Sequence, residues 1–317
     1  MQHNMKPIFS PQHILVAGSG RLVSSLSVCL LQAGFRVTLL HEGDALPAID
    51  QHLAALQAFA GQTVGRERLT IAAGPDPAAG YEMAIAVTPE DPSEKQAMIR
   101  QLEACLPEEA PLAINMESIA LSELQQHSRN PRRIIGANWA EPVYNTCFLE
   151  VIINDGTLQP LAAEFCKLAR ERWQKDPYLL THGRGIRARM MCSLIREACY
   201  LVENGYVGVE DIDRACRNDP GYYFPFAGNF RYMDLMGGFM YGIVMQDLNP
   251  TLSKETHIPD FCLEAIQGEG MAGGRGFYEY RPGEAAHWEA LFRKFSFQIH
   301  QIIHRYPFRY EEVAVNA

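Results

Sequence analysis

The chain has 317 residues, 47 % of them hydrophobic and 21 % charged, and its 28 Lys+Arg against 37 Asp+Glu leave a net charge of −9. That length favours two domains over one, and the composition excludes disordered and fibrous classes. An acidic balance with no Lys/Arg run argues against nucleic acid or anionic lipid as a partner.

No apolar stretch approaches the roughly 18 residues that a membrane span requires. The opening residues, MQHNMKPIFSPQHI, lack the apolar core of a signal peptide. The eight cysteines, at 29, 105, 147, 166, 192, 199, 216 and 262, form no C-x-x-C pair, and several fall inside apolar helical patterns. This is the usage of buried, reduced thiols, and the expected location is the cytoplasm.

Residues 13–17 (HILVA) form a short apolar run ending at Gly18, the pattern of a buried first strand that feeds a glycine turn. Residues 22–33 repeat apolar side chains at helical spacing and stop at Gly34, and 36–40 (RVTLL) supply a second strand. Further strands are expected at 69–72, 83–87, 111–114, 133–137, 147–153 and 177–181, with helices at 45–60, 93–106, 118–127 and 157–174. Such alternation predicts an α/β domain with a doubly wound, mainly parallel sheet. Past Gly183 the pattern changes to long amphipathic helices, 186–204 with Met190, Met191, Leu194 and Ile195 on one face, and 285–306 with Trp288, Leu291 and Phe295. FYEY at 277–280 is the one strand-like segment there. The boundary is placed near 183–186, giving domains over 13–183 and 184–317, the second all-α.

The first turn, Gly18-Ser19-Gly20-Arg21-Leu22-Val23, keeps two of the three positions of G-x-G-x-x-G. Gly18 suits the tight turn, and Gly20 lets a diphosphate reach the amides that open the helix at Arg21 and Leu22. Val23 at the third position should hold helix and strand slightly apart, and a plain strand-to-helix turn remains the alternative. A carboxylate usually receives the ribose hydroxyls at the end of the second strand. Here the strand ends Leu40-His41-Glu42, where His41 could bond one hydroxyl or tolerate a 2′-phosphate and Glu42 could substitute after a one-residue shift.

The stretch 133–152, RIIGANWAEPVYNTCFLEVI, resembles the L-3-hydroxyacyl-CoA dehydrogenase family, with Gly136, Pro142, Leu149, Glu150, Val151 and Ile152 in place. Residues 115–124, Glu197-Ala198, Val209 to Asp213 and the Gly274-Arg275-Gly276-Phe277-Tyr278-Glu279-Tyr280 segment extend the resemblance in order over 14–280. It implies a Rossmann-like domain joined to a helical domain that dimerises, NAD favoured over NADP, and a hydroxyacyl or small hydroxy-acid substrate. It also implies a His that takes the hydroxyl proton and a Glu twelve residues on that orients it.

The departures bear on mechanism. Asn138 stands at the His position while Glu150 is retained, Glu117 stands at the substrate-binding Ser with Ser118 next to it, and Ala188 stands at an expected Asn. Two readings remain open. Either the site is rebuilt, with Glu117 as base and Asn138 bonding a substrate oxygen, or the chain is a non-catalytic relative that binds a ligand or partner. Bland alternatives are a satisfied strand carboxylate for Glu150, a buried amide tying the strand end for Asn138, and a cap for a helix beginning at 119 for Ser118. Arg184, Arg187 and Arg189 could engage a carboxylate or phosphate, or could be solvated. The aromatic stretch 221–241 reads as core or dimer packing, and His300 and His304, four apart without a third ligand, as surface residues rather than a metal site.

Overall fold

The computed structural model describes residues 11–41, 43–268 and 270–306. The chain divides after Ala188 into two compact units, a few residues beyond the expected boundary.

In the first unit, β1 (His13–Gly18), β2 (Arg36–Leu40), β3 (Leu69–Ala72), β4 (Met83–Val87), β5 (Leu112–Ile114), β6 (Ile134–Trp139), β7 (Phe148–Ile152) and β8 (Asp176–Leu180) form one sheet of order β3-β2-β1-β4-β5-β6-β7-β8. Every neighbouring pair is parallel except β6 with β7. The central strands are apolar without alternation, as HILVA and MAIAV show, because helices cover both faces; Ile14 to Ala17 and Met83 to Ala86 are fully buried. The covering helices are α1 (Arg21–Gln32), α2 (Leu46–Ala60), α3 (Pro92–Glu103), α4 (Leu121–Gln125) and α5 (Gln159–Arg172). α3 begins where the Asp91 carboxylate accepts the Glu94 N–H at 2.9 Å. Successive strands run outward from β1 to β3, and β4 then returns to the other side of β1, which puts the topological switch point between β1 and β4.

The antiparallel register of β6 and β7 sets Asn138 opposite Glu150. Two buried polar side chains thereby share one face of the sheet, one strand in from its β8 edge.

The second unit comprises most of α6 (Arg187–Glu203) with α7 (Val209–Asn218), α8 (Pro220–Met236), α9 (Gly238–Leu248), α10 (Asp260–Gln267) and α11 (Glu284–Arg305). The expected helices are present, but FYEY is a turn with an isolated bridge from Arg275 to Glu279, because Gly274 and Gly276 fold the chain back on itself. The apolar faces are largely uncovered. Met190, Met191, Leu194 and Ile195 are exposed, as are Phe230 at 79 % and Phe239 at 80 %, whereas Ala227, Cys262, Ala265 and Phe297 are buried. Among the described residues no helix is long and apolar enough to cross a membrane. The thiol pattern also needs correction: Cys192 is exposed and Cys147, Cys199 and Cys216 are only partly buried.

Candidate active site

The nucleotide turn lies at the switch point. Gly18 has φ +128°, and a Cβ there would come within 1.9 Å of the Val87 carbonyl oxygen and 3.2 Å of Val23 Cγ2. Glycine is therefore required for β1 to pass β4, and Val23 packs into the space that its absent side chain leaves. Gly20 has φ +87° and nothing within 4 Å of a Cβ position. The approach to the first amides of α1 is thus clear, with no acidic residue in that turn and no side-chain cap on them. Such a cradle fits a diphosphate. Leu22 is half-buried, and Arg21 Nε is bonded to Glu141 Oε1 at 3.0 Å, tying the start of α1 to the β6–β7 connection. At the end of β2, His41 Nδ1 accepts the Gly43 N–H at 2.9 Å, which leaves Nε2–H as the ring's donor. Glu42 lies outside the described residues.

The ends of β4, β5 and β6 hold one another by hydrogen bonds that fix the loop after β5. The Asn115 side chain accepts the Thr88 N–H at 2.8 Å and donates to the Thr88 carbonyl at 2.9 Å. Lys95, buried at the base of α3, donates to the Asn115 carbonyl at 2.8 Å and pairs with Glu90 at 3.3 Å. Glu90 Oε1 in turn accepts the N–H groups of Glu117, Ser118 and Ile119 at 2.9, 2.7 and 3.0 Å. Burial would raise the Glu90 pKa, but these three donors and Lys95 outweigh it and hold the carboxyl below the usual range. Burial pushes the Lys95 ammonium pKa down despite Glu90. The Ser118 hydroxyl lies 3.3 Å from Glu90, and α4 starts only at Leu121 with no side-chain cap. The expectation that Ser118 caps a helix at 119 therefore fails, since Glu90 takes the loop amides that such a cap would serve.

Asn138 completes the clamp. Its Oδ1 accepts the Met116 N–H at 2.8 Å, and its Nδ2 donates to the Met116 carbonyl at 2.6 Å and to Glu150 Oε2 at 2.7 Å. Both amide hydrogens are therefore engaged. Glu150 is fully buried; its Oε1 accepts the N–H groups of Ile186 and Arg187 at 2.8 and 3.1 Å and the Tyr178 hydroxyl at 3.3 Å. Burial and the Glu150 charge push the Tyr178 phenol well above its ordinary pKa, so it stays a donor. Gly185 permits this arrangement: a Cβ there would sit 2.6 Å from Glu150 Oε2.

The Glu117 side chain therefore projects from a loop whose backbone is fixed at every residue from 115 to 119. Its carboxylate bonds Arg187 Nη1 at 2.8 Å, with the two side chains 35 % and 34 % exposed. Burial raises the Glu117 pKa; Arg187 opposes this, and the charges of Glu150 and Glu90 reinforce it. Arg184 donates to the Ser118 carbonyl at 3.0 Å, and the Arg187 guanidinium lies over the Phe148 ring, 5.6 Å from its centroid. Glu117, Asn138, Glu150, Ser118 and Arg187 are thus brought together. Sequence reasoning missed Glu90, Lys95, Tyr178 and Gly185. A carboxylate just after β4 with Lys five residues on was a legible signal for the first two.

A doubly wound sheet with an open glycine turn at its switch point, joined to a helical unit, defines a dinucleotide-dependent oxidoreductase architecture. The chain belongs to the 3-hydroxyacyl-CoA dehydrogenase family: the family's NAD binding domain matches residues 13–181 and its C-terminal domain residues 186–280. It is 25 % identical over 286 residues to 5-formyl-3-hydroxy-2-methylpyridine 4-carboxylate 5-dehydrogenase of Mesorhizobium japonicum, covering 86 % of this chain and 91 % of the relative. It is likewise 25 % identical over 285 residues to 3-hydroxybutyryl-CoA dehydrogenase of Mycobacterium tuberculosis, covering 85 % and 98 %. Among solved structures, a 5-formyl-3-hydroxy-2-methylpyridine 4-carboxylic acid 5-dehydrogenase, described as an NAD+ dependent dismutase, superposes with a TM-score of 0.83 at 23 % identity, covering 93 % and 99 %. The (S)-3-hydroxybutyryl-CoA dehydrogenase of Ralstonia eutropha gives 0.68 at 19 %, covering 86 % and 100 %.

Proposed function

We propose that this protein is an NAD-dependent dehydrogenase of a hydroxyacyl or small hydroxy-acid substrate in which Glu117 takes the place of an imidazole base. The observation that carries the reading is the position of Glu117: a half-exposed carboxylate on a clamped loop, beside the buried Glu150, with its proton affinity raised by burial. Bound at the glycine turn, the nicotinamide cofactor supplies the hydride acceptor. Gly18, Gly20, Arg21 and Leu22 would hold the cofactor, His41 would offer its Nε2–H to a ribose hydroxyl, and NAD is favoured over NADP.

In this reading Asn138 is a positioning residue, because it fixes Met116 and Glu150 through bonds within the protein. Glu150 holds the segment at 185–187 and adds negative potential that makes Glu117 a stronger base. The Ser118 hydroxyl, next along the loop, donates to Glu90 at 3.3 Å. The helical unit from Arg189 onward serves as substrate and dimerisation domain. Its exposed Met190, Leu194, Phe230 and Phe239 call for a second copy, since each large apolar side chain buried contributes about 1.5–3 kcal/mol. The expected setting is cytoplasmic.

A second reading is favoured by the engaged donors of Asn138 and the neutralisation of Glu117 by Arg187: a binding protein of the same fold without turnover. Titration of NADH and NADPH against tryptophan fluorescence, and then nicotinamide absorbance with hydroxy acids and hydroxyacyl thioesters, separates the two. Tighter NADH binding with turnover supports the dehydrogenase; binding without turnover supports the second reading. Sedimentation at micromolar concentration should give a dimer.

A further inference from the structure

The three carboxylates of the site are satisfied unequally. Glu150 accepts from four donors, and Glu90 accepts three backbone N–H groups and faces buried Lys95. Glu117, by contrast, has among the described residues a single hydrogen-bond donor, Arg187 Nη1.

Arg187 is the mirror of this. A guanidinium carries five donors in a planar fork, and the Arg187 side chain makes one hydrogen bond among the described residues. Its Cα is fixed because its own N–H is bound to Glu150, and one side of the guanidinium lies over Phe148. A half-exposed, anchored cation with unused donors, held by one weakly secured anion, is built to accept another.

The geometry points to Arg187 as a recognition residue for a carboxylate on the substrate. The ligand class is a small hydroxy acid, or the corresponding carbonyl acid, whose carboxylate takes the unused N–H groups of Arg187 beside Glu117. The inference rests on the site assigned under the proposed function but not on turnover. It also couples recognition to reactivity: a ligand carboxylate that draws Arg187 away removes the one cation bonded to Glu117 and strengthens Glu117 as a proton acceptor.

The test is calorimetric binding to the full chain of 3-hydroxybutyrate and of its uncharged counterpart 3-hydroxybutyramide. The acid should bind more tightly than the amide by on the order of tenfold. R187Q should abolish that preference while leaving amide binding unchanged. R187K, which keeps the charge but loses the fork, should weaken the acid several-fold and serves if R187Q fails to fold. E117Q, which removes the competing anion, should hold or widen the preference; a purely structural ion pair predicts no acid-specific change in any variant. Equal binding of acid and amide, binding of neither, or a preference that survives in both R187Q and R187K would overturn the inference. Loss of turnover with an intact Arg187-dependent acid preference would instead sink the dehydrogenase reading and leave this one standing.

Discussion

Replacing Gly185 by alanine tests whether the buried carboxylate is held as tightly as its bonds imply. The backbone there is not in the left-handed region, so alanine brings no conformational strain and the effect is steric. The new Cβ would lie 2.6 Å from Glu150 Oε2, 3.3 Å from Glu150 Cδ and 3.2 Å from Asn138 Nδ2. Ordinary contact requires a separation larger by roughly 1 Å, and Glu150 cannot withdraw without loosening its bonds to Asn138, Ile186 and Arg187. Overpacking of a rigid interior costs about 1–3 kcal/mol, and weakening one hydrogen bond to a buried charge adds about 1.5 kcal/mol or more. Denaturant unfolding should therefore show a loss of about 2.5–4.5 kcal/mol for G185A. At exposed Gly74, where nothing lies within 4 Å of a Cβ, alanine should be neutral or slightly stabilising. Equal midpoints for the two variants would refute the claim that Glu150 is packed against the 185–187 backbone.

The same geometry has other consequences. Asn138→His should not restore an ordinary base, because imidazole cannot bond the Met116 N–H and carbonyl together as the amide does; unfolding should register a loss of about 1–3 kcal/mol, and an unchanged midpoint would contradict the clamp. Gly20→Val should abolish NADH binding, since φ +87° there is a backbone conformation that a branched residue does not adopt and its side chain would also enter the open approach to α1; undiminished binding in a titration would place the diphosphate elsewhere. Glu90 has a lowered folded-state pKa, so its stabilisation is present above the unfolded carboxylate pKa and fades as pH falls through the folded one. The deficit of E90Q against wild type should accordingly be largest near neutrality and shrink in acid, and a deficit independent of pH would show that the Glu90 charge is not what holds the loop.

The strand and helix runs were legible because a parallel sheet covered on both faces leaves uninterrupted apolar segments such as HILVA and MAIAV. The glycine turn was legible for the same reason that it is needed: Gly18 passes Val87 at a distance no side chain permits. Composition could not reveal that β6 and β7 run antiparallel, and without that register Asn138 and Glu150 are two polar residues twelve apart rather than facing partners. The clamp of 115–119 was hidden because its members, Glu90, Lys95 and Asn138, come from three elements and meet only at the strand ends. In the helical unit, periodicity located α6 and α11 correctly. It measures an apolar face and not what covers that face, so it could not show that Met190 and Leu194 are exposed.

The most direct measurement of the central claim is nicotinamide absorbance after mixing the protein with NAD+ and a series of small hydroxy acids, for wild type and E117Q, alongside NADH binding to both. A Glu117 base predicts turnover by wild type, with an acid limb displaced above the ordinary carboxylate range because burial raises the Glu117 pKa. It further predicts a loss of about 10²-fold or more in E117Q with NADH affinity unchanged. Turnover undiminished in E117Q, or none from wild type saturated with NAD+ across the series, would contradict it.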